Sequence, residues 1–407
     1  MAIRLSDNEV KTIVKAIKNN DTIILSQFFP NKEITSASFQ LNYPLPKGGL
    51  LPNANLTLLH IAAAYDSLEC FLLLIENGFE FRTLSADSYF PLHYACCYSA
   101  HEVALYILEN DPDEAKLLPQ GIAHHFLFFA ATGNDVDILN ALFENGADLK
   151  QRANFLDDPI EKAVQCNHIE ILKILLDHGV SSAQKGVGDE TPIMKAAKNN
   201  RPSAVILLAK ASPMDILYCP LDGKNLFYLM CFFGNVFKNA IIELLNMIGK
   251  VTIEPPSYMK CKGVAHWICM MADVDVAKAL LATDNIIINR LDENDQLGPC
   301  QLTSKPLPEE TSIEILKLLI GAGLNINYRS PKLPTEDVYQ TPSLLEKFSF
   351  GLKKQYKIIK FLLENGADPY ALSAKSQVPL IDKMMKLSDE KMRNLYAPYV
   401  QKDPKNE

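Results

Sequence analysis

The chain has 407 residues, of which 48% are apolar and 22% charged, and a formal net charge of -8. Such a composition can bury a large core, while the acidic balance, with no block of consecutive lysines or arginines, excludes a phosphate backbone or anionic lipid as a natural partner. The longest apolar runs, "CFLLLI" and "FLFFAA", fall well short of the roughly eighteen residues that span a bilayer.

At the N-terminus, "DNEVKTIVKAIKNNDTIILSQFF" predicts a short helix pair over 1–29 that is more charged than a central building block should be. The same charge argues against a secretory signal. Nine cysteines, an odd number without a pairing framework, suit a reduced compartment, so a cytoplasmic protein is expected. Residues 30–56 follow, too rich in Pro, Gly and Asn for a regular helix.

From Thr57 the chain repeats itself about every 33 residues. "TLLHIAAAYDSLECFLLLIENG" is followed by "FPLHYACCYSAHEVALYILEN" from Phe90, and further blocks start at His125, Asp158 and Thr191. Each predicts a short helix, a tight turn and a second helix. Pro in "DPIE" and "TPIM" suits the first helical turn, where its missing N–H would be unbonded anyway. Paired small residues, Ala62 with Ala63, Ala130 with Ala131 and Ala196 with Ala197, let successive first helices approach closely. The turns fall at Asp66, Ser99, Asn134, Asn167, Asn200 and Gly234, types that tolerate left-handed backbone or bond locally to it. Second helices such as "IEILKILL" carry apolar residues at spacings of three and four and stop at Gly78, Gly146 or Gly179.

These blocks resemble the ankyrin repeat, through "TLLH", "FPLH", "DPIE" and "TPIM" at helix starts and "ENGAD" at helix ends. The resemblance implies an all-α repeat solenoid of helix-turn-helix units with hairpin fingers, about ten repeats including degenerate caps. Regular repeats are expected over 57–213. Degenerate ones, including "NLFYLMCFFGN", "VAHWICMMADV" and "SIEILKLLIGAGLNIN", are expected over 214–330, and C-terminal repeats with a cap over 331–407. Breaks are expected at 329–340 and around Pro255 and Pro306.

The segment "HYACCYSAH", residues 93–101, is dense enough in His and Cys to suggest a metal site or a reactive thiol. The repeat register divides it. His93 takes the place of His60, whose imidazole in the family bonds to backbone of the neighbouring turn, and Cys96 takes a small core position. Cys97 and Tyr98 precede the turn, and His101 follows it, so the register sends the four side chains apart where zinc would need convergent ligands. A cross-repeat alternative through His124 and His125 remains open. No nucleophile elbow, HExxH helix, kinase signature or phosphate-cradling loop occurs, so no catalytic residue, metal or other cofactor is expected.

Function is expected from the surface that stacking creates. In this family the residues just before each turn face a concave groove, together with the fingers. The candidates are Tyr65, Tyr89, Cys97, Tyr98, Gln165, Lys198, Asn199, Phe232, Phe233, Met270 and Met271, with Trp267 beside the last group and Asp87, Phe155, Glu190 and Lys224 on fingers. Aromatic residues and Met at such positions are types enriched in binding surfaces. The expected function is a monomeric, non-catalytic scaffold that binds another protein. The alternatives are an adaptor that delivers a captured protein to a ubiquitin ligase, and a metal or thiol enzyme built on the His/Cys-rich repeats.

Overall fold

In a computed structural model, the structure describes residues 6–29, 45–46, 51, 56–85, 87–117, 125–147, 158–181, 189–304, 307–328, 341–351, 354–374 and 378–400. Most of the expected 30–56 insertion, the break at 329–340, and finger residues His124 and Phe155 lie outside these. Among the described residues the secondary structure is helical, with isolated bridges and no strand. The chain divides into two compact units, Met1–Asn199 and Asn200–Glu407.

The first unit opens with α1 (Asp7–Lys18) and α2 (Thr22–Ser26). Ser6 and Glu9 cap α1 reciprocally, the Glu9 carboxylate accepting the Ser6 N–H at 2.7 Å, which satisfies N–H groups that no helical carbonyl can reach. Four helix pairs and a final first helix follow: α3 (Leu58–Ala64) with α4 (Leu68–Glu76), α5 (Pro91–Tyr98) with α6 (His101–Asn110), α7 (Phe126–Gly133) with α8 (Val136–Glu144), α9 (Pro159–Cys166) with α10 (Ile169–Asp177), and α11 (Pro192–Lys198). First helices stack in the order α1, α3, α5, α7, α9, α11, and second helices in the order α2, α4, α6, α8, α10.

The close stacking follows from small side chains. A Cβ on Gly133 would stand 2.2 Å from the Cys96 carbonyl oxygen, so only glycine lets α7 approach α5 this far. Ala62, Ala63, Ala130 and Ala131 are buried in the same layer. The turns take a positive φ at Asp66, Ser99, Asn134, Asn167 and Asn200, between 53° and 69°, and at Gly234, where φ 84° with ψ -146° is a conformation open to glycine. Polar side chains there tie one turn to the next: the Val103 N–H donates to Asp66 at 3.0 Å, and His168 Nδ1 bonds the Ala131 carbonyl at 2.9 Å.

The second unit contains α12 (Pro202–Ala211), α13 (Leu226–Phe233) with α14 (Lys238–Ile248), α15 (Val264–Met271) with α16 (Val274–Leu281), α17 (Glu309–Gly321), α18 (Leu344–Ser349) with α19 (Tyr356–Glu364), and α20 (Leu380–Met385) with α21 (Glu390–Val400). Here the pattern is less regular. The place of a first helix before α17 is taken by a 3₁₀ segment, Gly298–Ser304, packed on α15. A Cβ on Gly298 would come within 2.6 Å of the Ala265 backbone, so glycine admits this contact. The turn after α15 is left-handed at Ala272, φ 57°, a residue type that does not announce a turn.

Candidate partner-binding surface

Two histidines tie the first helices to the following finger, and a third, His93, stands at the same place in its repeat. Both the N–H and the hydroxyl of Thr57 donate to His60 Nδ1, at 3.3 and 2.7 Å, which leaves Nε2 to donate to the Tyr89 carbonyl of the next finger at 2.9 Å. His266 repeats the arrangement, accepting from the Gly263 N–H and donating to the Gln296 carbonyl at 2.9 Å. His93 accepts the Phe90 N–H at 3.0 Å and packs on Phe126, ring centroids 4.0 Å apart. Burial, opposed by the backbone bonds, pushes the His60 pKa down to about 4. His60 and His266 thus brace each first helix to the next finger, the role that the register implies for His93.

The groove candidates separate once burial is known. Tyr65, Tyr89 and Tyr98 are half-buried, and Gln165, Lys198, Asn199, Phe232 and Phe233 are exposed. Lys18 sits 5.6 Å above the Tyr65 ring, and Lys198 pairs with Glu190 on the adjacent finger. Three candidates are corrected. Cys97 is 3% exposed, because α5 is enclosed by α3 on one side and α7 on the other. Met270 and Met271 are 8% and 4% exposed, and Trp267 is fully buried, with its indole N–H donating to the Lys262 carbonyl at 3.0 Å. Every residue of α15 is buried, since α13 packs on one side of it and the 3₁₀ segment on the other. The expected Phe and Met cluster is therefore divided, with only its phenylalanines at the surface.

On α13, Tyr228 and Phe232 stack at 6.1 Å and Phe232 meets Phe233 edge to face at 5.3 Å. Phe232 is 60% exposed and Phe233 40%, and Val236 beyond them is exposed too. Tyr228 also lines a cavity of about 260 Å³ with Asp222, Lys224, Lys260, Lys262 and Glu293. Lys224 bonds Asp222 at 2.9 Å, Lys262 bonds Glu293 at 2.5 Å, and Lys260 lies 3.7 Å from Asp295. An aromatic ladder thus runs from open surface to a mixed-charge hollow.

The wall of that hollow is a finger held by one guanidinium. Arg290 donates to the carbonyls of Cys261 (3.1 Å), Pro255 (2.7 Å), Pro256 (2.6 Å) and Met259 (2.7 Å), and to the Glu254 carboxylate at 2.9 Å. The other Glu254 oxygen accepts the Val264 N–H at 2.9 Å, at the start of α15. Burial raises the Glu254 pKa, and the α15 N–H and Arg290 oppose that rise. Sequence reasoning marked Pro255 only as an irregularity, and missed Arg290, Lys260 and Lys262, because carbonyl acceptors belong to every residue type and leave no mark in a sequence. Tyr228 could have been found four residues before Phe232, on the same helical face.

Among the described residues one group offers convergent metal-ligating atoms: His101, Asp135 and Asp137 lie within 4.8 Å of one another. His101 Nδ1 bonds Asp135 at 3.0 Å, and this bond raises the His101 pKa. The other Asp135 oxygen caps α8 through the Ile138 N–H, so the pair already joins successive repeats. Burial lifts the thiols of Cys70, Cys96, Cys261 and Cys300 above their ordinary range, the opposite of what activates a nucleophile. Glu114, in a 3₁₀ turn after α6, is fully buried with neither carboxyl oxygen hydrogen-bonded, and burial pushes its pKa up to about 8.

A family model describing three consecutive ankyrin repeats matches residues 13–116 and again 127–218. No curated protein matches the chain at a significant level. No helix among the described residues is long and apolar enough to cross a membrane.

Proposed function

Because the chain belongs to the ankyrin-repeat family, whose repeats are generally protein–protein interaction modules, we propose that it is a non-catalytic scaffold that binds a partner protein along its first helices and fingers, within the concave groove expected of such repeats. The observation that carries this reading is the aromatic ladder in which the exposed Phe232 and Phe233 continue from the half-buried Tyr228. Aromatic side chains left in water across neighbouring helical turns gain most by being covered, and this residue type dominates binding hot spots. Tyr65, Tyr89, Tyr98, Gln165, Lys198 and Asn199 are proposed as further contacts. We assign the protein to the cytoplasm as a monomer, in keeping with nine free cysteines.

The test compares affinity capture by the wild-type chain and by the Phe232→Ala/Phe233→Ala double variant, with mass spectrometry of what is retained. A set of proteins held by the first and lost by the second, at an unaltered melting temperature, supports the reading. Identical capture by both overturns it for this surface. The metal reading is checked separately by the zinc content of the purified chain. The expected content is below one equivalent, and one equivalent lost on His101→Ala would favour a metal centre instead.

A further inference from the structure

The row of first helices begins with two cations that no carboxylate answers. Lys15 and Lys18, one turn apart on α1, are exposed, and Lys18 sits 5.6 Å above the Tyr65 ring at the end of α3. Among the described residues neither amine has an ion-pair partner. The carboxylates near them in the chain are turned elsewhere. Glu9 accepts the Ser6 N–H and hydroxyl, each at 2.7 Å, and stands nine residues before Lys18, on the opposite face of the helix. Asp21 caps α2 through the Ile24 N–H at 3.0 Å and, with Glu69, acts on the Cys70 thiol of α4. Asp66 accepts the Val103 N–H of α6 and acts on His101. Asp7 and Lys11 stand one turn apart in α1 and offset each other in charge, which leaves Lys15 and Lys18. Further along the same row, Lys195 and Lys198 already hold Glu161 and Glu190. Tyr65 and Tyr98 continue the surface in the next two repeats, both half-buried. Burial, then Cys97 and Tyr65, raises the Tyr98 phenol to about 12 with no carboxylate contributing, so the two rings are neighbours and no acid stands close to the second.

Building on the partner-binding reading, we propose that Lys15, Lys18, Tyr65 and Tyr98 form one docking surface for an extended acidic segment of a partner protein. Its carboxylate meets the two amines, and an apolar or aromatic side chain of the same segment packs on the tyrosine rings. An arriving carboxylate finds Lys15 and Lys18 with no pair to break first, whereas at Lys195 or Lys198 it would have to displace Glu161 or Glu190. The Tyr65 ring turns its negative face to Lys18, which keeps the amine over the row without neutralising it. On a chain whose overall charge is -8, two unanswered cations at one end of the row also select where an acidic segment lands. The stacking sets a spacing. Packed helices lie about 10 Å apart and an extended chain advances about 3.3 Å per residue, so the apolar anchor stands about three residues from the acid at Tyr65, or about six at Tyr98.

The test is selection of a phage-displayed library of random dodecapeptides on three immobilised proteins: the wild-type chain, Lys15→Glu/Lys18→Glu, and Phe232→Ala/Phe233→Ala. If the charge-reversed chain melts below the wild type, Lys15→Gln/Lys18→Gln takes its place. On the wild type and on Phe232→Ala/Phe233→Ala, the enriched peptides should pair Asp or Glu with an aromatic or aliphatic residue at one of these spacings. A synthetic peptide of that sequence should bind the wild type about tenfold more tightly than the charge-reversed chain by fluorescence anisotropy, and the difference should shrink in high salt. Enriched peptides without acid, or equal affinity for the charge-reversed chain, overturn this surface and leave the partner-binding reading standing. Acidic peptides lost on Phe232→Ala/Phe233→Ala move the acid's contact to the other unit and overturn it as well. Phosphatidylserine vesicles that sediment with the wild type and not with Lys15→Glu/Lys18→Glu make the two lysines a lipid contact and overturn the peptide assignment. Recovery of no peptide on the wild type overturns both readings.

Discussion

Residues 1–199 and 200–407 are built from the same helix pairs, yet they treat their apolar side chains differently. Among the described residues of the first unit, the large apolar side chains left exposed are Ile23, Ile24 and Leu84; in the second they number thirteen, Phe232, Phe233, Leu221 and Tyr258 among them. The first unit keeps its register, so each helix meets a neighbour of the expected size and little apolar surface remains over. The second exchanges one first helix for the 3₁₀ segment Gly298–Ser304 and carries a finger braced by Arg290. Where the repeat is least regular, surface that could bind a partner is most available. Departure from the repeat pattern is thus itself a guide to recognition in this chain.

The comparison can be broken first at Arg290. In Arg290→Met the Glu254 carboxylate stays buried without its partner, and breaking such a pair costs about 3–5 kcal/mol. Urea denaturation should show the second unit unfolding earlier with the first unchanged; a loss below about 1 kcal/mol would mean the finger is held by something else. In the first unit the corresponding buried charge problem is Glu114, and there the expected sign is reversed. Its folded pKa of about 8 lies above the ordinary value of 4.5, so the native state holds the proton longer than the unfolded chain. The stability from this group is whole below about pH 4.5, declines as pH rises toward 8 and is flat beyond. Glu114→Met should flatten that slope and raise stability at pH 8 by roughly 2–4 kcal/mol, since one pKa unit corresponds to about 1.4 kcal/mol.

The brace histidines test what the two units share. His60→Ala and His266→Ala each remove one bridge to the next finger and should cost about 1–3 kcal/mol at pH 7. His60 titrates near 4 when folded, below its ordinary 6.5, so its contribution is present above pH 6.5 and is lost as pH falls toward 4. Acid denaturation of His60→Ala should accordingly be shallower across that window than that of the wild type. The smallest effect on stability belongs to Phe232→Ala/Phe233→Ala, within about 0.5 kcal/mol, although partner capture should fall most there. A large drop in melting temperature would show that the ladder supports the fold.

The helix pairs were legible because their determinants are local. Asp66, Ser99, Asn134 and Asn167 stand at left-handed turns and belong to types that bear that conformation cheaply. Ala272 adopts it without that excuse, held by α15 and α16 on either side, and no local signal points to it. Helical spacing identified the face carrying Cys97, Phe232 and Met270 but could not say which neighbour covers it. α7 closes over Cys97 and the 3₁₀ segment over α15, while Phe232 stays open. The cavity was less legible still, since it joins Lys224, Tyr228, Lys260 and Glu293 from three separate stretches of chain.

The finger from Glu254 to Gly263 takes its path from main-chain carbonyls that grip a single side chain. Carbonyls are common to all amino acids, so the identity of Ser257, Tyr258 or Lys260 is not what keeps the loop in shape. These positions can be rewritten one at a time, for a new partner or by an engineer's library, on a platform whose outline stays constant. The cost of that freedom is concentrated at one residue, Arg290, whose own substitution would release the whole loop at once.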